Sequence, residues 1–171
     1  MRKKIPAKEM SVLLLSVILA VNLAAQPVGE DHHDHHHHLN ELGISTGIVL
    51  MQPEDETAAG LHLHAMRRLG DEGFMRFFGL GLGVEVIFSD HRHYAFMGTL
   101  GVFPWENVVF TFSPGLLLVK EAGESRRLFS FHSEIMYEFT VGGFEMGPAL
   151  GFAKAGEDTH ITVGIHIGKG F

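Results

Sequence analysis

The chain is 171 residues long, about one domain, and carries 13 Lys plus Arg against 20 Asp plus Glu, a formal net charge of −7. With no Cys it can form neither a disulfide scaffold nor a thiolate metal site. An acidic chain with two Tyr and one Trp is also ill-suited to nucleic acid, whose phosphates need a basic footprint. Its 21 Gly and 14 Phe, in a sequence that is 46% hydrophobic, are odd for a soluble α/β enzyme and suit a thin β-wall that is apolar on one side.

Residues 1–25 read as a signal peptide. Arg2, Lys3, Lys4 and Lys8 form a positive lead, and the apolar run SVLLLSVILAVNLAA that follows is too short for a comfortable membrane helix. Cleavage is expected after Ala25, and no Cys follows to take a lipid. Removing the segment takes away four bases and Glu9, leaving 9 basic and 19 acidic residues, a net −10. No later stretch is long and apolar enough for a membrane helix.

The next residues, QPVGEDHHDHHHH, lack apolar periodicity, so 26–40 is expected to be a disordered His-rich segment. His32, His33, His35, His36, His37 and His38 alternate with Glu30, Asp31 and Asp34, unlike a purification tag. Neutral imidazoles beside carboxylates are good ligands for Zn²⁺, and equally for Ni²⁺ or Cu²⁺.

From residue 41 to the end the pattern alternates with period two, broken by polar turns. Eight strands are predicted: 42–51, 60–69, 74–88, 93–103, 108–120, 126–139, 144–154 and 159–171. One face is large and apolar, with Leu42, Ile44, Leu63, Leu80, Leu82, Phe96, Phe110, Phe129, Phe152 and Ile165 among its members. Its charged members, Arg67, Arg76 and Lys169, fall at strand ends. The other face is small or polar: Gly43, Ser45, His62, His64, Gly81, Glu85, Thr99, His132, Glu134, Gly151, His160 and His166.

Volume decides which face points inward. Eight strands enclose an interior barely wide enough for side chains, so the Phe, Leu and Ile of the apolar face would overfill it. Inverted, the apolar face meets lipid and the Gly-rich face lines a narrow lumen. Closure also removes edges that an apolar sheet could not leave unpaired. The fold class predicted is therefore all-β, an eight-stranded antiparallel up-and-down transmembrane β-barrel. Pro114 and Pro148 fall inside strands, where a bulge would shift the facing locally.

The signal peptide, the alternating strands and a last strand running through Ile161, Val163, Ile165 and Ile167 to a terminal Phe171 resemble the small outer-membrane β-barrel proteins of the OmpA/OmpX type. The likeness is architectural and covers residues 41–171. It implies an outer-membrane location in a Gram-negative cell, contact with outer-membrane lipid, and a C-terminal strand read by the barrel assembly machinery. With an even strand count it also implies both termini in the periplasm. The His-rich lead is not a general feature of that group, and the fold says little about activity.

On this reading the outward loops, 53–58, 89–92, 121–125 and 155–158, are short and acidic, which suits a solvated, cation-bridged surface better than a receptor-binding one. The lumen gathers His62, His64, His132, His160 and His166 with Glu85, Glu134, Glu138 and Glu145. His62 and His64 are two apart and so point the same way, as do His132 and Glu134. Counting from the turns places most of these histidines in the half nearest the outward loops, and Met66, Met97 and Met136 would add soft sulfur. Such a set suits a divalent transition metal. The plain alternative is an ion-paired plug in which Arg68 and Arg126 answer the carboxylates. An acyl-hydrolase reading fails, because adjacent His132 and Ser133 must point to opposite faces. The expectation is a monomeric, non-enzymatic barrel that binds or handles divalent metal, zinc first, through His32, His33, His35, His36, His37, His38, His62, His64, His132, Glu134, His160 and His166. A metal transporter is a natural partner, and a structural barrel with no specific ligand is the alternative.

Overall fold

Period-two alternation becomes nine hydrogen-bonded strands in the computed structural model, which describes residues 38–53, 55–89, 92–121 and 124–171. The expected signal peptide and the His-rich lead through His37 lie outside the described residues. The strands are β1 (Asn40–Gln52), β2 (Glu56–Arg68), β3 (Phe78–Phe88), β4 (Arg92–Trp105), β5 (Val108–Glu121), β6 (Glu124–Tyr137), β7 (Phe139–Val141), β8 (Phe144–Ala155) and β9 (Asp158–Gly170). All pairings are antiparallel between neighbours, and the sheet closes through β1–β9 on one side and β6–β8 on the other. β7 continues β6, so the wall has eight staves.

The registers fix the size of the barrel. Stepping across paired residues from Asn40 passes Arg67, Leu80, Leu100, Phe112, Ser133, Phe152 and Ile161 and returns to β1 at Leu50, ten residues further along. With ordinary strand rise and spacing, that stagger tilts the strands by roughly 40° and sets the Cα wall about 8 Å from the axis. Side chains from opposite walls can therefore touch.

The facing follows the predicted parity. Leu82, Phe129, Leu80 and Phe96 point outward and are more than half exposed, while Ser45, His62, His64, Glu85, Thr99, Ser113, His132, Glu134 and His166 are buried inside. The prolines do not disturb it. Pro114 sits opposite Phe131 with Ser113↔His132 and Gly115↔Ser130 in unbroken register, and the β4–β5 irregularity lies instead between Val102 and Trp105. Pro148 likewise keeps register with Ile165. Its missing N–H falls opposite the β6/β7 junction, where Met136↔Ala149 and Phe139↔Met146 continue the same alignment.

Strand 3 begins later than its sequence suggests. Residues Phe74–Phe77 form a 3₁₀ turn instead. The β2–β3 ladder ends at Arg68↔Gly79, and Leu69 N–H bonds Phe78 C=O at 2.8 Å, so residues 70–77 have no partner strand. The β7–β8 hairpin turns on Gly142 and Gly143, whose φ values of 58° and 77° suit the primed turns that match strand twist.

The lumen is more apolar at its ends than the alternation implied. Met66, Phe103, Val109, Met136 and Ala149 cluster toward the end carrying the chain termini. Val49, Met51, Ala58 and Ile87, and separately Ala95, Met97, Leu117 and Ala155, pack toward the opposite, loop end. Ser45, His62, Glu85, His132 and Glu134 lie between these layers, while Glu41 pairs with Met66 and His93 with Ile87.

Candidate metal centre

Five histidines and four glutamates form one connected array inside the barrel. Nearest the chain termini, Glu41 Oε1 lies 3.3 Å from His64 Nε2 and 3.4 Å from His166 Nε2, and the two imidazoles stack at 5.2 Å with planes only 5° apart. Glu138 Oε1 approaches the same His166 nitrogen at 3.5 Å. The other ring nitrogen, Nδ1, lies 3.1 Å from Ser45 Oγ, and the same hydroxyl lies 3.2 Å from Glu134 Oε2, so its one hydrogen can go to either. That carboxylate oxygen is 3.6 Å from His62 Nδ1. His62 lies 4.9 Å, ring to ring, from His132, whose Nδ1 is 3.3 Å from Glu85 Oε1. The same Glu85 oxygen is 3.4 Å from His160 Nε2, toward the loop end.

Local sequence builds this contact by contact. Pairing of β2 with β1 puts His64 opposite Gly43 and His62 opposite Ser45, and pairing of β9 with β1 puts His166 opposite Ser45 on the other side. Small residues on β1 thus sit between two columns of imidazole. Gly43 is required, because a Cβ there would run into His64 and His166. Gly83 and Gly151 do the same for His62 and His132, where a Cβ would come within 2.9 Å of each ring's Nε2.

Two groups have metal-ligand spacing: Glu41 with His64 and His166, and His62 with His132 and Glu134. Within each, one ligand atom per residue lies within 4.8 Å of the others, and all six residues are buried. No protein group makes a well-aligned hydrogen bond to either nitrogen of His62 or His132, nor to Nε2 of His160 or His166. An unsatisfied buried polar atom costs about 1–3 kcal/mol, so the unprotonated nitrogen of each of these rings is available to a ligand. Two imidazoles and a carboxylate suit Zn²⁺ and its neighbours in the first transition row. The donor set therefore fits a divalent transition metal.

The structure brings His62, His64, His132, Glu134, His160 and His166 together as the alternation implied. His38 is exposed at the terminal end, with its ring over Gly170. His32, His33, His35, His36 and His37 lie outside the described residues. Three expectations change. The histidines spread along the lumen and do not all gather in the loop half: His62 is at the centre of β2 and His64 and His166 are in the terminal halves of β2 and β9, while His160 is near the loops and His132 aligns with it through Ala153. The cause is strand length, since β2 begins at Glu56 and β6 at Glu124, earlier than the turns suggested. Arg126 is exposed rather than answering a lumenal carboxylate, whereas Arg68 stacks over Phe103 at 3.7 Å and interacts electrostatically with Glu145, Glu41 and Glu138. The sulfurs of Met66, Met97 and Met136 belong to the apolar clusters. Sequence reasoning missed Glu41, yet it shares parity with Gly43 and Ser45. Starting strand 1 at residue 42 left it out.

No protein-family model matches the sequence, and no curated protein matches it. Solved structures do. The crystal structure of Neisserial surface protein A aligns with a TM-score of 0.54 over 77% of this chain and 96% of its own, at 6% identity. The fold is that of a small outer-membrane β-barrel. The attachment invasion locus protein Ail of Yersinia pestis aligns at 0.52, with 12% identity over 77% of this chain and 97% of its own. A de novo designed transmembrane β-barrel aligns at 0.51, with 8% identity over 75% and 94%. That a designed barrel matches as well as two natural ones underlines that the likeness is one of architecture. At such identities it carries the fold alone, and leaves the histidine array a matter for this chain's own chemistry.

Proposed function

We propose that this chain is an outer-membrane barrel, both termini in the periplasm, that binds divalent transition metal, zinc foremost, in its lumen and through its His-rich lead. The single observation that carries the reading is the pair of buried His–His–Glu groups whose ligand atoms converge within 4.8 Å. Imidazole and carboxylate are the ligands a borderline cation selects. Outer-membrane lipid contacts the outer wall, the barrel assembly machinery reads the last strand, a metal transporter is the partner for the lead, and the barrel acts as a monomer without enzymatic activity. The lumen's apolar layers favour a second reading, an envelope barrel whose histidines only plug it.

The test uses the full mature chain with the six histidines at 32, 33 and 35–38 replaced by Asn, so that the lead cannot contribute. Zn²⁺ should raise its unfolding midpoint, by an amount equivalent to about 2.7 kcal/mol at a hundredfold excess over Kd. The rise should vanish in the His62→Ala, His132→Ala, His64→Ala triple variant. An unchanged midpoint in millimolar Zn²⁺ would leave the plug.

A further inference from the structure

The array is two sites rather than one. We propose that the lumen takes two divalent cations in tandem, one on Glu41, His64 and His166 and the other on His62, His132 and Glu134, with Ser45 as the positioning residue that couples their binding. This rests on the metal-binding reading above and extends it to stoichiometry and linkage.

Charge argues for two ions. Four carboxylates touch the array: Glu41 and Glu138 at His166, Glu134 at His62, and Glu85 at His132 and His160. One dication would leave part of that negative charge buried and unmatched, which is costly in a low-dielectric interior. Two balance it. The same carboxylates screen the ions from one another where the columns approach, at the 5.6 Å His62–His64 ring contact.

The coupling follows from proton positions. With no metal, His166 can carry its proton on Nε2, facing Glu41, so that Nδ1 accepts a hydrogen bond from Ser45 Oγ–H across 3.1 Å. A cation on Nε2 displaces that proton, and the neutral ring then carries its hydrogen on Nδ1. His166 then donates to Ser45, and the Ser45 hydrogen is released to Glu134 Oε2, 3.2 Å away. Loading the terminal site therefore swings one hydrogen bond onto a ligand of the other. It holds the Glu134 carboxylate toward His62, as outer partners do for metal-ligating groups. The tautomer change breaks the Nε2–H bond and makes an Nδ1–H bond by proton exchange with solvent, so the ring stays neutral and the only other new bonds are metal–ligand bonds. By reciprocity, loading the His62 site must favour the Glu41 site equally.

The experiment is native mass spectrometry of the full mature chain carrying the six Asn replacements in the lead, titrated with Zn²⁺. At saturation two zinc ions should be bound, and at half saturation the singly loaded species should be the minor one. Glu41→Gln should lower the maximum to one. Ser45→Ala should still bind two, but the ratio of the second to the first stepwise constant should fall at least about fivefold, the lower bound of ordinary site coupling. Ser45→Thr keeps the hydroxyl and should restore the ratio. A merely structural loss at Ser45 would weaken both constants together and leave their ratio alone. A maximum of one zinc in the parent, or a ratio unmoved by Ser45→Ala, overturns the tandem coupling and leaves metal binding standing. No zinc bound at all overturns both.

Discussion

Leu82 and Gly81 are neighbours on β3 whose side chains leave the wall in opposite directions, so they test the wall from both sides. Leu82 is the fifth residue of Phe78–Phe88 and 72% exposed on the outer surface. If that surface lies in hydrocarbon, Leu82→Arg places a guanidinium near the midplane at a cost of about 2–4 kcal/mol. Leu69, just past the end of β2, is 42% exposed at the rim. There Leu69→Arg should cost only about 0–1 kcal/mol, because the charge reaches the interface. At Gly81 the mechanism differs: a Cβ would meet Ala65 C=O and come within 3.0 Å of Met66 Cα, both backbone of the neighbouring strand. Backbone held in a closed ladder yields little, so Gly81→Ala should cost about 1–3 kcal/mol by overpacking. At Gly81 the first obstacle is the adjacent strand, unlike Gly43, Gly83 and Gly151, where a Cβ would meet lumenal imidazoles. The assay is reversible urea unfolding in phosphocholine vesicles, followed by fluorescence of Trp105, the single Trp. Changes in midpoint at constant slope report stability. A Leu82→Arg penalty no larger than that of Leu69→Arg would refute a lipid-facing wall.

Three further outcomes are expected. The mature protein should fractionate with outer membranes and migrate faster unheated than boiled, because a closed ladder resists detergent; recovery as a soluble periplasmic protein would contradict the outer-membrane reading. Gly43→Ala should push His64 and His166 apart, costing about 1–3 kcal/mol and removing one zinc equivalent by calorimetry; a folded variant with full zinc capacity would separate Gly43 from the site. Replacing the six lead histidines should leave the unfolding midpoint in chelator unchanged while lowering zinc stoichiometry. Binding to the lead should also weaken as pH falls through about 6.5, where protons compete for the imidazole nitrogen, and a pH-independent affinity would exclude imidazole ligation.

Period-two alternation determined the wall from sequence alone. Parity assigns every side chain to one face, and the volume of eight strands permits only the inverted arrangement, so Leu82 outside and His132 inside were legible before any coordinates. The prolines looked disruptive because a missing N–H is visible in sequence, whereas the ladder's tolerance of it on either side of Pro114 and Pro148 is not. Parity is also blind to depth. Which histidines meet depends on where each strand truly begins and on a ten-residue stagger accumulated around the closed sheet. Those quantities come from pairing across the whole barrel, and only they decide that Glu41 answers His64 and His166. They also place Ser45 between His166, its register partner on β9 and 121 positions away, and Glu134, 89 positions away on β6, which it reaches because a barrel about 16 Å across lets side chains meet across the lumen.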